Sequence, residues 1–284
     1  MIGRVRIGVT LALVIAVTPV AILLQMGVLR TRVLHPGYLP RLWHDFALRL
    51  LGIRVHVEGV PAVGRPLLIV ANHVSWSDIC VLGSLGPYSF VAKSDMARWP
   101  VFGTLARLQR SVFVERERTR ASHLQARELG DRLGAGEALV LFAEGTTYDG
   151  NTVGPFKSTL FGAAQAALAG QAGLETVHVQ PVSIAYTRLH GMPMGRFHRT
   201  HAAWIGDMDL VPHVGALLRE GGMDVEVRFG EPIPFTRGTN RKDIARLTEA
   251  EVRRTMAESL REPRAPSQAS HRRSRRQRWR SWFG

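Results

Sequence analysis

The apolar pattern opens with an uncharged block. Residues 7–29 carry no charge over 23 positions, from Ile7 to Leu29. At about 1.5 Å per residue, a helix of this length matches a hydrocarbon core of about 30 Å. Arg4 and Arg6 precede the block and Arg30 and Arg32 follow it, so flanking charge sets no orientation. Pro19 predicts either a kink in a spanning helix or a shallow, re-entrant one. A cleaved signal peptide is the alternative, against which stands a block longer than the usual ~7–15-residue apolar region. Next, Leu39, Leu42, Trp43, Phe46, Ala47, Leu50 and Leu51 fall on one helical stripe, with Arg41, His44, Asp45 and Arg49 off it. Periodicity does not name what that stripe touches, the soluble core or a membrane interface.

From residue 53 onward, short apolar runs alternate with helical patterns. Strands are expected at 53–57, 67–71, 89–92, 111–114, 138–142, 177–185, 202–205 and 225–229. Helices are expected at 78–85, 96–108, 121–133, 158–168 and 241–260. This order predicts one α/β domain with a mixed, largely covered β-sheet flanked by helices. The expected organisation is a membrane segment at 1–35, an amphipathic helix at 36–52, the domain at 53–260 and a basic, disordered tail at 261–284.

Charge sharpens this division. The chain has a formal charge of +14 over 284 residues. The last 24 residues hold eight Arg and one Glu, a net +7 and so half of the excess. Such a tail suits an anionic partner, nucleic acid or an anionic membrane face. A membrane segment at the other end favours lipid, as do Trp279, Trp282 and Phe283 among the arginines. No nucleic-acid partner is expected, and a tail that only solubilises is the plain alternative. The single cysteine, Cys80, excludes an internal disulfide and suits a reducing compartment. The expected location is the inner membrane, with the domain on the cytoplasmic side.

Candidate chemistry gathers where strands end. Ala71-Asn72-His73-Val74-Ser75-Trp76-Ser77-Asp78 follows one strand and leads into a helix, the kind of loop at which α/β proteins assemble sites. On one continuous helix, residues five apart would point about 140° from each other. Contact between His73 and Asp78 therefore needs His73 in the loop and Asp78 in the first helical turn. The carboxylate would then fix the imidazole tautomer and leave Nε2 as a base. A surface histidine beside an N-terminal helix carboxylate explains the same two residues. Phe142-Ala143-Glu144-Gly145-Thr146, followed by Thr147-Tyr148-Asp149-Gly150, ends another strand. It offers a carboxylate, hydroxyls and backbone N–H groups to a polar ligand, or forms a turn with Asp149-Gly150 as its punctuation.

Taken jointly, these blocks resemble the glycerolipid acyltransferases typified by bacterial 1-acyl-glycerol-3-phosphate acyltransferase. Asn72-His73-(four residues)-Asp78 and Phe142-x-Glu144-Gly145-Thr146 stand in the family's order, about 70 residues apart. Phe90-Val91-Ala92-Lys93, Val112-Phe113-Val114-Glu115-Arg116, Pro155-Phe156-Lys157 and Val179-Gln180-Pro181-Val182 resemble further family blocks. The resemblance spans roughly residues 40 to 235. It implies His73 as general base, Asp78 as its orienter, and Arg116, Glu144, Gly145 and Thr146 lining the acceptor head-group site. Lys93 and Lys157 are weaker candidates, each also explained as a solvated lysine.

The implied reaction moves a fatty acyl group from acyl-CoA or acyl carrier protein to the free hydroxyl of a lysolipid. A thioester is already activated, so neither metal nor cofactor is expected. The first expected acceptor is 1-acyl-glycerol-3-phosphate. However, Ala143 and Thr147 stand where many family members have Pro and Arg, which removes one charged donor for a phosphate. Thr147 with Asp149-Gly150-Asn151 and Phe156-Lys157-Ser158 looks more like the branch with lyso-ornithine lipid acyltransferases, the alternative acceptor. A non-catalytic membrane or nucleic-acid binding protein is the further alternative. No G-x-S-x-G elbow is present, which counts against an esterase.

Overall fold

The apolar runs 67–71 and 138–142 lie side by side in the middle of a mixed sheet, paired in parallel from Leu67 with Ala138 to Ala71 with Phe142. The computed structural model describes residues 2–114, 119–206 and 208–263. Two helices, α1 (Ile2–Thr31) and α2 (Tyr38–Leu51), come first. Then follow β1 (Ile53–Glu58), β2 (Leu67–Ala71), α3 (Ser77–Gly83), β3 (Ser89–Lys93), α4 (Phe102–Leu108) and β4 (Val112–Val114). Next are α5 (Thr119–Gly134), β5 (Ala138–Phe142), α6 (Gly162–Gly170), β6 (Val177–Leu189), β7 (Met192–Pro193) and α7 (Arg196–Arg199). The described chain closes with α8 (Leu210–Glu220), β8 (Met223–Phe229), β9 (Ile233–Phe235) and α9 (Arg241–Arg261).

The main strand order is β1-β8-β6-β2-β5-β3-β4, with β7 and β9 pairing to β6. Strands β6, β2, β5, β3 and β4 are mutually parallel, whereas β8 runs antiparallel to β6 and carries β1 parallel to itself. Continuous apolar runs make sense here because both faces are covered. Leu67, Ile69 and Ala71 face a core built with α2, α3 and α8. Leu68 and Val70 face a second core built with α5, α6 and α9. Burying each such aliphatic side chain contributes about 1.5–3 kcal/mol. The parallel strands share one carboxyl edge, where the chain leaves β2 at Ala71, β5 at Phe142 and β3 at Lys93. That edge brings the separated sequence blocks together.

Helix α1 is long and apolar enough to cross a membrane. Yet it is tied to the domain along its length. Arg6 donates to the Leu51 carbonyl at 3.1 Å, and the Trp43 indole donates to Thr18 Oγ1 at 3.3 Å. Gln25 Nε2 donates to the carbonyls of Pro36 at 2.7 Å and Leu108 at 3.0 Å. Thr10, Thr18, Gln25 and Val28 are buried on this side, while Val5, Val9, Ile15, Leu23 and Leu24 face outward. Pro19 lies within the helix. The α2 stripe packs partly on the domain: Leu51 is buried there, with Trp43 and Ala47 against the same core, while Leu42 stays exposed and Leu48, outside the stripe, is buried. His44, expected off the stripe, is buried as well, beside Gly83, where a Cβ would come within 2.4 Å of the ring.

The elements depart from expectation in several places. The helix expected at 96–108 is split into a 3₁₀ turn at Ser94–Arg98 and α4, because Pro100 holds Trp99 in an extended conformation. The one expected at 158–168 likewise starts as a 3₁₀ turn before α6. Residues 202–205 form no strand: Ala202 and Ala203 are buried, but the Trp204 N–H donates to the Val74 carbonyl across a loop. Finally, β7, α7, α8 and β9 are absent from the sequence expectation. Pro212 of α8 sits in the first turn, where a missing N–H costs nothing. Arg116 and the tail beyond Pro263 lie outside the described residues.

Candidate active site

Strand β2 delivers Asn72 and His73 to the carboxyl edge. The Asn72 amide bridges to β6, accepting from Ile184 N at 2.8 Å and donating to Ile184 O at 3.0 Å. This locks the base of the loop that His73 starts. The loop then turns into α3, whose first turn carries Asp78. His73 Nδ1 lies 2.9 Å from Asp78 Oδ2. The same oxygen accepts the backbone N–H groups of Val74 at 2.7 Å and Ser75 at 2.9 Å. His73 in the loop and Asp78 in the first turn are the placement that contact requires. An ionised carboxylate only accepts, so the imidazole proton sits on Nδ1 and Nε2 keeps its lone pair. Asp78 is fully buried, whereas the His73 side chain remains 17% exposed. Its ring stacks on Phe142 at 3.9 Å and 12°. The dyad thus has a sheltered carboxylate and a base whose free nitrogen can receive a proton from a bound hydroxyl.

Glu144 works on the backbone of this loop. One carboxylate oxygen accepts the His73 N–H at 2.5 Å and the other the Gly154 N–H at 2.6 Å. The His73 carbonyl accepts from Tyr148 N at 2.9 Å. Burial pushes the Glu144 carboxyl up to about 8, against the pull of its two backbone donors. With both oxygens engaged and 1% exposure, Glu144 braces the His73 loop and presents no carboxylate oxygen to the edge. That differs from the head-group lining the resemblance implies. The reason is physical, since a buried carboxyl must be hydrogen-bonded and backbone N–H groups are the nearest donors.

The remaining candidates separate by position. Gly145 takes φ of 75°, and a Cβ there would come within 2.9 Å of Lys157 Nζ. The Lys157 ammonium therefore lies across the Gly145 turn, with Thr146 exposed beside it. Lys93 ends β3, one strand beyond β5, and pairs with Asp95 at 2.9 Å. Thr147 turns away from the edge, its hydroxyl donating to the Trp204 carbonyl. Cys80 is buried in α3 and its thiol is pushed up to about 12, so it is no nucleophile.

The structure also brings in a residue that the sequence reading passes over. Tyr186 of β6 donates its hydroxyl to Asp78 Oδ1 at 2.8 Å and sits 2.7 Å from Ser77 Oγ. A signal existed. Val182, Ile184 and Tyr186 alternate on the face that continues Ala71, and a buried tyrosine in an apolar strand must find a partner for its hydroxyl.

The family described as Acyltransferase matches residues 52–185. The chain is 50% identical over 260 residues to a lyso-ornithine lipid O-acyltransferase of Brucella abortus (strain 2308), covering 92% of this chain and 97% of that protein. A protein of the same name from Rhizobium meliloti (strain 1021) is 49% identical over 261 residues, covering 92% and 89%. Among solved structures, the 1-acyl-sn-glycerophosphate (LPA) acyltransferase PlsC from Thermotoga maritima superposes with a TM-score of 0.62. It covers 93% of this chain and 100% of that one at 23% identity, a likeness of fold.

Proposed function

The chain belongs to the acyltransferase family, and we propose that it transfers a fatty acyl group from a thioester donor to the free hydroxyl of a lyso-ornithine lipid. The observation that carries the chemistry is the His73–Asp78 pair, 2.9 Å apart, with Nε2 left free. His73 Nε2 takes the proton as the hydroxyl oxygen attacks the thioester carbonyl. The C–S bond then breaks, an ester forms, and the imidazolium gives its proton to the departing sulfur, so a free thiol leaves and His73 is neutral again. Asp78 supports that imidazolium charge. The donor is acyl-CoA or acyl carrier protein, and no metal or cofactor takes part.

The acceptor is read from two observations. The relatives that match nearly their whole length carry the lyso-ornithine name. In addition, Thr147 faces Trp204 and offers no cation at the edge. On these grounds we favour the ornithine acceptor over 1-acyl-glycerol-3-phosphate, the first expected acceptor. Gly145, Thr146, Lys157, Lys93 and Arg116 are proposed to line the head-group side, where lysines suit the ornithine carboxylate. The test offers purified full-length protein both acceptors, with acyl-CoA and acyl carrier protein in turn. The expected result is a kcat/KM for lyso-ornithine lipid at least about tenfold above that for the phosphate acceptor, a barrier difference of about 1.4 kcal/mol. A preference for the phosphate acceptor would restore the other assignment.

The protein is proposed to sit on the inner membrane with its site open to the cytoplasm. Because Arg6 and Gln25 both hold α1 to the domain, we place α1 within one leaflet, its apolar side toward the acyl chains. The tail beyond 263 adds attraction to anionic head groups. Single cysteines at Gly3 and Val33 read out this arrangement, with buried Cys80 adding little background. Both should react with an impermeant maleimide from the cytoplasmic side. Labelling of the two from opposite sides would mean that α1 spans the bilayer.

A further inference from the structure

We infer that Tyr186 is a positioning residue for the base, fixing the Asp78 carboxylate and setting how strongly it holds the proton on His73. This rests on the reading of His73 as the base. The hydrogen bonds around Asp78 carry the inference. Asp78 Oδ2 accepts from His73 Nδ1, Val74 N and Ser75 N. These donors all belong to the loop that the dyad itself forms. Among the described residues, Oδ1 has its partner on a different element, the Tyr186 hydroxyl from β6 at 2.8 Å. Tyr186 thus fastens the carboxylate to the rigid centre of the sheet.

The proton order follows from Ser77. Its Oγ lies 2.7 Å from the phenol oxygen. Tyr186 has one proton, and an ionised Asp78 needs it, so Ser77 donates to Tyr186 and Tyr186 donates to Asp78. Burial holds the phenol well above its ordinary value, so it stays a donor throughout the working pH range. A donor on Oδ1 draws carboxylate charge away from Oδ2. Without it, Oδ2 is more basic, the imidazolium is favoured, and more of His73 is already protonated at neutral pH. Protonated His73 cannot take the acceptor proton.

The other groups facing the dyad do not supply this control. Glu144 reaches the His73 backbone N–H, with Glu249 of α9 beyond it, and Cys80 is neutral inside α3. The Tyr186 hydroxyl bonds to Asp78 and Ser77 and to none of these three.

The test is the pH dependence of kcat at saturating acceptor, using full-length wild type, Tyr186→Phe, Ser77→Ala and His73→Ala. Tyr186→Phe keeps the ring and removes only the hydroxyl. Its acid limb should move up by about half a unit to one unit, with kcat at neutral pH falling about two- to threefold and the acceptor KM within about twofold. Ser77→Ala should shift the limb the same way by less, and it carries the test if the phenylalanine variant does not fold. A tyrosine that merely filled the core would lower the melting temperature and leave the limb in place. An unmoved acid limb beside an inactive His73→Ala overturns the role of Tyr186 alone. A His73→Ala variant with the wild-type rate overturns the base and this inference together.

Discussion

His73→Ala should lower the rate of acyl transfer by about 10²- to 10⁴-fold while the protein still melts near the wild-type temperature. A hydroxyl is a poor nucleophile until its proton is removed, and Nε2 of His73 is the acceptor that the geometry leaves free. The loss corresponds to roughly 3–5.5 kcal/mol of barrier. The fold should survive because the loop is held by its backbone. Glu144 holds the His73 N–H and Tyr148 its carbonyl, and neither contact uses the imidazole. The ring is partly exposed and stacked on Phe142, so its removal leaves an open space more than a sealed cavity. The check is product formation against a thermal melt. A folded variant retaining most of the wild-type rate would remove His73 from the mechanism.

Asp78→Asn should be of similar severity for a different reason. An asparagine can keep its oxygen toward Val74 N, Ser75 N and His73 Nδ1, with its amide toward Tyr186. The Tyr186 oxygen could then accept where its proton formerly donated. The hydrogen bonds are largely replaceable, but the charge is not. An imidazolium beside a neutral amide loses its counter-charge. The expected loss approaches about 10⁴-fold in kcat, with little change in acceptor KM. Equal loss in kcat and kcat/KM marks an interaction made in the transition state. If the variant changed KM alone, Asp78 would act in binding and not through His73.

The parts that local pattern governs were legible in the sequence. The spans of β2 and β5 follow from uninterrupted aliphatic runs covered on both faces. The loop placement of His73 and the helical placement of Asp78 follow from five-residue spacing and 3.6 residues per turn. What escaped depends on distant partners. Residues 202–205 read as a strand, yet only Ala202 and Ala203 are buried, Ile205 is exposed, and the segment joins no ladder. The two oxygens of Glu144 are claimed by N–H groups 71 and 10 residues away, which no motif records. Tyr186 reaches Asp78 across 108 residues. The lie of α1 along the domain is likewise invisible in its composition, because Arg6, Thr18 and Gln25 look like ordinary interruptions until their partners are known. Pro100 was the exception, a local breaker inside a helical pattern that accounts for the split before α4.

The central claim is direct, base-assisted transfer from thioester to lipid hydroxyl, and one measurement addresses it most directly. Purified full-length protein is mixed in a single turnover with labelled acyl thioester and lyso-ornithine lipid, and the label is followed in lipid and in protein by mass spectrometry. The account predicts a lipid heavier by one acyl group, with the new bond an ester and the free thiol appearing in step. It predicts no labelled protein at any time. Label on the protein before it reaches the lipid, or thiol release without any acylated ornithine lipid, would contradict it.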